Sequence, residues 1–191
     1  MDKRQIIEFF DSCASSWDET LEINDAVIKE ILFKGGVSEG KQVLDVASGT
    51  GVLFPYYNSL GADFTGIDIS PEMVKIAREK FPENEIICGD AENYKFEKQF
   101  DAIMIHNAFP HFPDGDKLIS NLSSALKGGG RISVAHSMSA KELEKCHSGA
   151  ANKISLPLPS KEKLGEMMGK YVSVDLLISD DRMFMVSGVK K

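Results

Sequence analysis

The chain is short of cysteine, of positive charge and of long apolar runs. Among its 191 residues it has three cysteines, Cys13, Cys88 and Cys146. Three widely spaced thiols make neither a disulfide framework nor a CxxC metal site. Cys88 lies in an apolar run, so its expected place is the core. No stretch of 18 apolar residues occurs, and no membrane-spanning helix is expected. The first residues, Met1 to Gln5, lead into an amphipathic stretch without a signal-peptide core, so the expected location is the cytoplasm. The 22 Lys and Arg stand against 29 Asp and Glu, a net charge of −7. So acidic a chain offers no broad footprint for a phosphate backbone, which argues against nucleic acid as partner. The length suits one compact domain, and no internal repeat is visible.

What the chain does have is a short apolar run, Val43-Leu44-Asp45-Val46, that breaks into Ala47-Ser48-Gly49-Thr50-Gly51. The run has the length and β-branched content of a buried parallel strand. The residues after it form a turn with almost no side chain, and Val52 to Leu60 reads as a helix. Strand, small-residue turn and helix bring bare backbone and a helix N-terminus against a ligand. A second strand, Asp63 to Ile67, ends in the acid Asp68 at about the spacing of a ribose-binding carboxylate. A dinucleotide fold would want Gly-x-Gly-x-x-Gly, but the third position after Gly51 is Phe54.

The pattern Asp45-x-Ala47-x-Gly49-x-Gly51 resembles the first motif of class I S-adenosylmethionine (SAM) dependent methyltransferases. The resemblance continues through Gly66-Ile67-Asp68-Ile69-Ser70, Gly89-Asp90-Ala91-Glu92, Phe100-Asp101-Ala102 and Leu126 to Arg131, covering roughly residues 41 to 136. It implies an α/β fold: a Rossmann-like seven-stranded sheet, mostly parallel, with one antiparallel strand near the C-terminus and helices on both faces. The expected organisation is one domain, with a helical lead at 1–36 and a core at 37–191. The lead, Phe9-Phe10-Asp11-x-x-Ala14-x-x-Trp17-Asp18, looks like that of quinone-biosynthesis methyltransferases, where it tends to lie over cofactor and acceptor.

The resemblance also implies roles in holding SAM. The turn Asp45, Ala47, Ser48, Gly49 and Gly51 surrounds the methionine part, with Asp45 near its ammonium. Asp68 accepts from both ribose hydroxyls, and Ile69 packs on the adenine face. Asp90 accepts from the adenine amino group, and Ala91 donates its backbone N–H to the ring.

Further elements follow from pattern. Ser70-Pro71-Glu72 starts a helix that runs to about Lys80, and Asp114 or Asp116 caps another that ends at Gly128 to Gly130. Ser139 to Glu142 matches a capping box, and Val172–Ile178 with Met183–Val189 reads as a closing antiparallel pair.

All four histidines, His106, His111, His136 and His147, fall within 42 residues. His106 follows the fourth strand and His136 the fifth, and neighbouring strands lie about 5 Å apart. Both imidazoles are therefore expected to face one crevice, beside His106's place at the cofactor. Such a cluster serves as a base for the acceptor or, with Cys146 nearby, as a site for zinc, iron or copper. The expected activity is methyl transfer to a small molecule or small ion. The alternatives are a SAM-binding regulatory or scaffold protein without transferase activity, and lyase or hydrolase chemistry at a histidine-bound metal.

Overall fold

The computed structural model describes residues 1–146 and 154–191. Its centre is a seven-stranded sheet of order β3-β2-β1-β4-β5-β7-β6. The strands are β1 (Gln42–Val46), β2 (Asp63–Asp68), β3 (Glu85–Cys88), β4 (Phe100–His106), β5 (Leu126–His136), β6 (Ser173–Ser179) and β7 (Phe184–Val189). β7 runs antiparallel to both β5 and β6, and every other pairing is parallel. Strand order reverses between β1 and β4, the place where open α/β sheets keep their ligands.

Two apolar layers sandwich the sheet. On one face Val43, Ala102, Met104 and Ala135 pack against α3 (Asp25–Lys34), α4 (Phe54–Ser59) and α5 (Pro71–Lys80). On the other, Leu44, Val46, Ile103, Ile105 and Val134 meet α6 (Gly115–Ser124) and α8 (Lys161–Gly169). Because successive strand residues point to opposite faces, β1 and β4 must be apolar nearly throughout. They are, apart from Gln42, Asp101 and His106 towards the strand ends and Asp45, which is also buried. Among the described residues no helix is long and apolar enough to cross a membrane.

Local signals place the helix starts. Ser70 accepts from the Met73 N–H at 3.2 Å, and Asp114, rather than Asp116, accepts from the Lys117 N–H at 3.0 Å. Ser139 and Glu142 form the expected reciprocal box, 3.2 and 2.9 Å, at the start of α7 (Ala140–Cys146). The lead is more broken than two helices: α1 (Lys3–Cys13), a 3₁₀ turn and a one-turn α2 (Trp17–Thr20) precede α3.

Two expectations fail. Gly128 to Gly130 do not end a helix but sit inside β5, where Gly129 (φ 76°) donates to the Lys190 carbonyl and the Lys190 N–H returns to Gly130. Pairing with the C-terminal residues captured backbone that a helix would otherwise have used. Cys88 is exposed, not core, because β3 turns out to be an edge strand.

Gly66, on β2, has no room for a side chain. A Cβ there would lie 2.7 Å from the Phe54 ring and 2.9 Å from Ser48 Oγ in the turn after β1. Overpacking of this kind costs about 1–3 kcal/mol. Gly66→Ala should therefore lower the melting temperature by several degrees in calorimetry, and an unchanged midpoint would show that the turn yields freely.

Candidate functional site

A pocket of ≈ 1050 Å³, partly open to solvent, lies over the carboxyl ends of β1, β2 and β4. Asp45, Ala47, Ser48, Gly49, Asp68, Ile69, Asp90, Ala91, His106 and His111 all line it. Gly51 does not. Its φ of 87° completes the turn, and a Cβ would strike Phe54 at 2.7 Å, so the glycine serves packing behind the pocket.

The turn is tied together by Asp68. Its Oδ2 accepts from the Gly49 N–H at 2.8 Å and its Oδ1 from the Ser70 N–H at 2.9 Å. Burial pushes its carboxyl above the usual range, while N–H groups of Ser70, Gly49 and Ile69 pull the other way. A carboxylate has about four acceptor positions, so Asp68 keeps capacity for a ligand's hydroxyls. Asp45 sits in the same wall. Burial, with Asp68 close by, raises its carboxyl well above the ordinary value, and the buried Tyr57 hydroxyl approaches it without reaching hydrogen-bond geometry.

Backbone strain marks both sides of the switch point. Ala47 (φ 55°) follows β1 and Asn107 (φ 53°) follows β4, and these are non-glycine residues in the left-handed region. Asn107 lines the pocket and clamps the loop after β5. Its Oδ1 accepts from the Ser137 N–H at 3.0 Å, and its Nδ2 donates to Ser137 Oγ at 3.1 Å. Sequence reasoning passed over Asn107, though asparagine directly after a buried strand is a candidate for that conformation.

The lead lies across the mouth. Lys3, from α1, reaches Asp90 and Glu92 at 2.6 Å each, and Phe10 and Trp17 line the pocket while Phe9 does not. Asp11 accepts from Ser70 Oγ at 2.5 Å and from the Glu72 N–H at 3.2 Å. Asp18 accepts from Thr50 Oγ1 and pairs with Lys80 at 2.7 Å. The expected adenine acceptor, Asp90, is thus already bound to Lys3, to Asn93 and to the Glu92 N–H. Burial works against its charge, but Lys3 and Asn93 outweigh that and hold the carboxyl below the usual range.

The histidines are divided. His106 pairs in register with Ala135, so His136, one residue on, faces the opposite side of the sheet. His136 is fully buried beside Phe184, 6.1 Å between ring centroids, and does not line the pocket. The expectation that His106 and His136 share one crevice fails on the two-residue period of the strand. His147 and the side chain of Cys146 lie outside the described residues. Among the described residues no three His, Cys, Asp or Glu side chains come together in a metal-binding arrangement. His106 and His111 do share the pocket, and Phe10 packs edge-on against His111 at 5.1 Å.

His106 Nε2 and Ser48 Oγ are buried in the pocket wall without a hydrogen-bond partner among the described residues. Both are groups that a ligand would satisfy. Burial alone pulls the His106 imidazole down to about 4.

That depression has a sign. Between pH 6.5 and about 4 the unfolded chain takes a proton on this ring while the folded protein does not. Its contribution to stability is therefore lost progressively as pH falls through that window. From pH 7 to pH 5 the loss should approach about 2 kcal/mol in urea denaturation and should vanish in His106→Gln. Parallel pH profiles for the two proteins would mean that His106 titrates normally.

Residues 44–134 match the family model of the methyltransferase domain. A demethylmenaquinone methyltransferase of Renibacterium salmoninarum is 30% identical over 146 residues, covering 71% of this chain and 60% of that protein. The chain spans about half the length of the curated relatives it matches. Among solved structures, a SAM-dependent methyltransferase from Aquifex aeolicus superposes with a TM-score of 0.70 at 20% identity, over 86% of this chain and 89% of the other. Magnesium protoporphyrin IX methyltransferase from Synechocystis, solved with bound SAH, gives 0.74 at 17% identity over the full length of both. Motif order, sheet topology, the acid-lined pocket at the switch point and these similarities agree: residues 44–134 are a methyltransferase domain, and the chain has the fold of the SAM-dependent methyltransferases.

Proposed function

We propose that this chain transfers a methyl group from SAM to a small, uncharged and largely apolar acceptor, with the helical lead 1–36 as a cover over the core 37–191. One observation carries the reading: a single pocket at the strand switch brings three carboxylates, Asp45, Asp68 and Asp90, together with two histidines, His106 and His111. A surplus of negative charge suits a ligand that bears an ammonium and a sulfonium. The orphaned Ser48 Oγ and the unused acceptor capacity of Asp68 suit its polar groups. SAM supplies an electrophilic methyl group when bound, so the protein's main tasks are positioning and exclusion of water.

The rest of the wall bears on the acceptor. Phe10, Leu21, Phe112 and Pro113 line the pocket, and Lys3, the lone cation among the described lining residues, is engaged by Asp90 and Glu92. An anionic acceptor would find no unengaged counter-charge among the described lining residues. The quinone-type substrates named for relatives are compatible with such a wall. If the acceptor must lose a proton, His111 is the better base. A ring held near 4, as His106 is, has too little affinity for protons, and its buried Nε2 is suited to hydrogen-bonding the acceptor.

Two measurements test this. Calorimetric titration with S-adenosylhomocysteine should give binding that Asp68→Ala weakens by about 10- to 150-fold, the worth of a charge-assisted acceptor. Failure of the wild-type protein to bind would end the reading. A screen of acceptors with labelled SAM should then identify a substrate whose turnover falls by about 10²-fold or more in His111→Gln. Full turnover in that variant would remove His111 as the base and leave the cofactor assignment standing.

A further inference from the structure

His111 is held from one side by residues far along the chain. Its Nδ1 lies 3.0 Å from the Ile154 carbonyl and 3.1 Å from Ser155 Oγ. The Leu156 N–H donates to the Pro110 carbonyl at 2.7 Å, so residues 154 to 156 run as a strap along the 3₁₀ turn Phe109–His111. Ile154 and Ser155 are both buried. A carbonyl oxygen can only accept, so the nitrogen facing it must carry the proton. Ser155 Oγ then also accepts from that N–H. With Nδ1 protonated, the neutral ring has its lone pair on Nε2, the nitrogen further from the strap. In a pocket-lining ring with Phe10 against its face edge-on, that arrangement sets which nitrogen can take a proton.

We propose that the 154–156 strap, through the Ile154 carbonyl and Ser155 Oγ, locks His111 in the Nδ1–H tautomer and so makes Nε2 its basic nitrogen. Ser155 is a positioning residue, acting on the acceptor only through His111. The inference rests on His111 as the base of the proposed methyl transfer. The same device, a base oriented by a third group, recurs wherever an imidazole must present one nitrogen in one protonation state. It also explains why a segment 43 residues distant packs on this ring. Ring orientation alone could have been set by Phe10, whose edge contact has no means of choosing between tautomers.

The test reads the tautomer directly and needs no acceptor. In the full chain labelled with ¹⁵N at histidine, NMR should show His111 predominantly as the Nδ1–H form at a pH where the ring is neutral. Ser155→Ala removes one of two acceptors and should lower the ratio of Nδ1–H to Nε2–H by about 2- to 10-fold, the worth of one neutral hydrogen bond. Ser155→Thr, which retains the hydroxyl, should restore it. A wild-type ring in the Nε2–H form overturns the proposal whatever the variants do. So does a ratio that Ser155→Ala leaves unchanged while its thermal unfolding matches wild type. Loss of turnover in His111→Gln tests the base reading separately, so the two can fail independently.

Discussion

Asp68 is a carboxylate buried at the end of a parallel strand, and three parts of the site depend on its bonds. Through Gly49 it closes the turn after β1, and through Ser70 it sets the residue that caps α5. Burying a charge is costly unless it is matched by hydrogen bonds, and here backbone N–H groups do the matching. Asp11 of the lead then attaches to the same Ser70, so the cover of the pocket and its floor meet at one capping residue. The glycine at Gly66 belongs to the same arrangement. It lets Phe54 and Ser48 approach β2 closely enough for the turn to reach Asp68.

Electrostatics divides the pocket into two regions. Asp45 and Asp68 crowd one another in a dry wall, which raises the Asp45 carboxyl and creates demand for a positive group. Around His106 and His111 the wall is aromatic and apolar, with polar atoms few and aimed inward. Such an arrangement fits the proposed placing of a cationic donor in one region and an uncharged acceptor in the other, which is what differential positioning requires. The lead joins the two. Lys3 engages Asp90 and Glu92, and Phe10 reaches His111.

Much of this was legible in order along the chain. The apolar run ending in Asp45, the small-residue turn, the acids Asp68 and Asp90, and the helix starts at Ser70 and Ser139 are local patterns, and local hydrogen bonds realise them. The resemblance to the family implied the seven-stranded sheet with one antiparallel strand near the C-terminus, and the closing pair read from pattern is β6 with β7. What failed were statements about neighbours. Cys88 read as core because its run is apolar, but only sheet order makes β3 an edge.

The amino-acid sequence by itself determined the strand, the small-residue, acid-bearing turn and the helix starts around the pocket, because each depends on contacts within a few residues. Tertiary structure decided the rest. Parallel register put Ala135, not His136, beside His106, and a two-residue period admits no compromise between faces. Long-range contacts brought Lys3 to Asp90 and the Ile154 carbonyl to His111. Those pairings are 87 and 43 residues apart, and no local preference encodes them. They exist because the packed sheet brings the chain's distant segments to the same end of its strands.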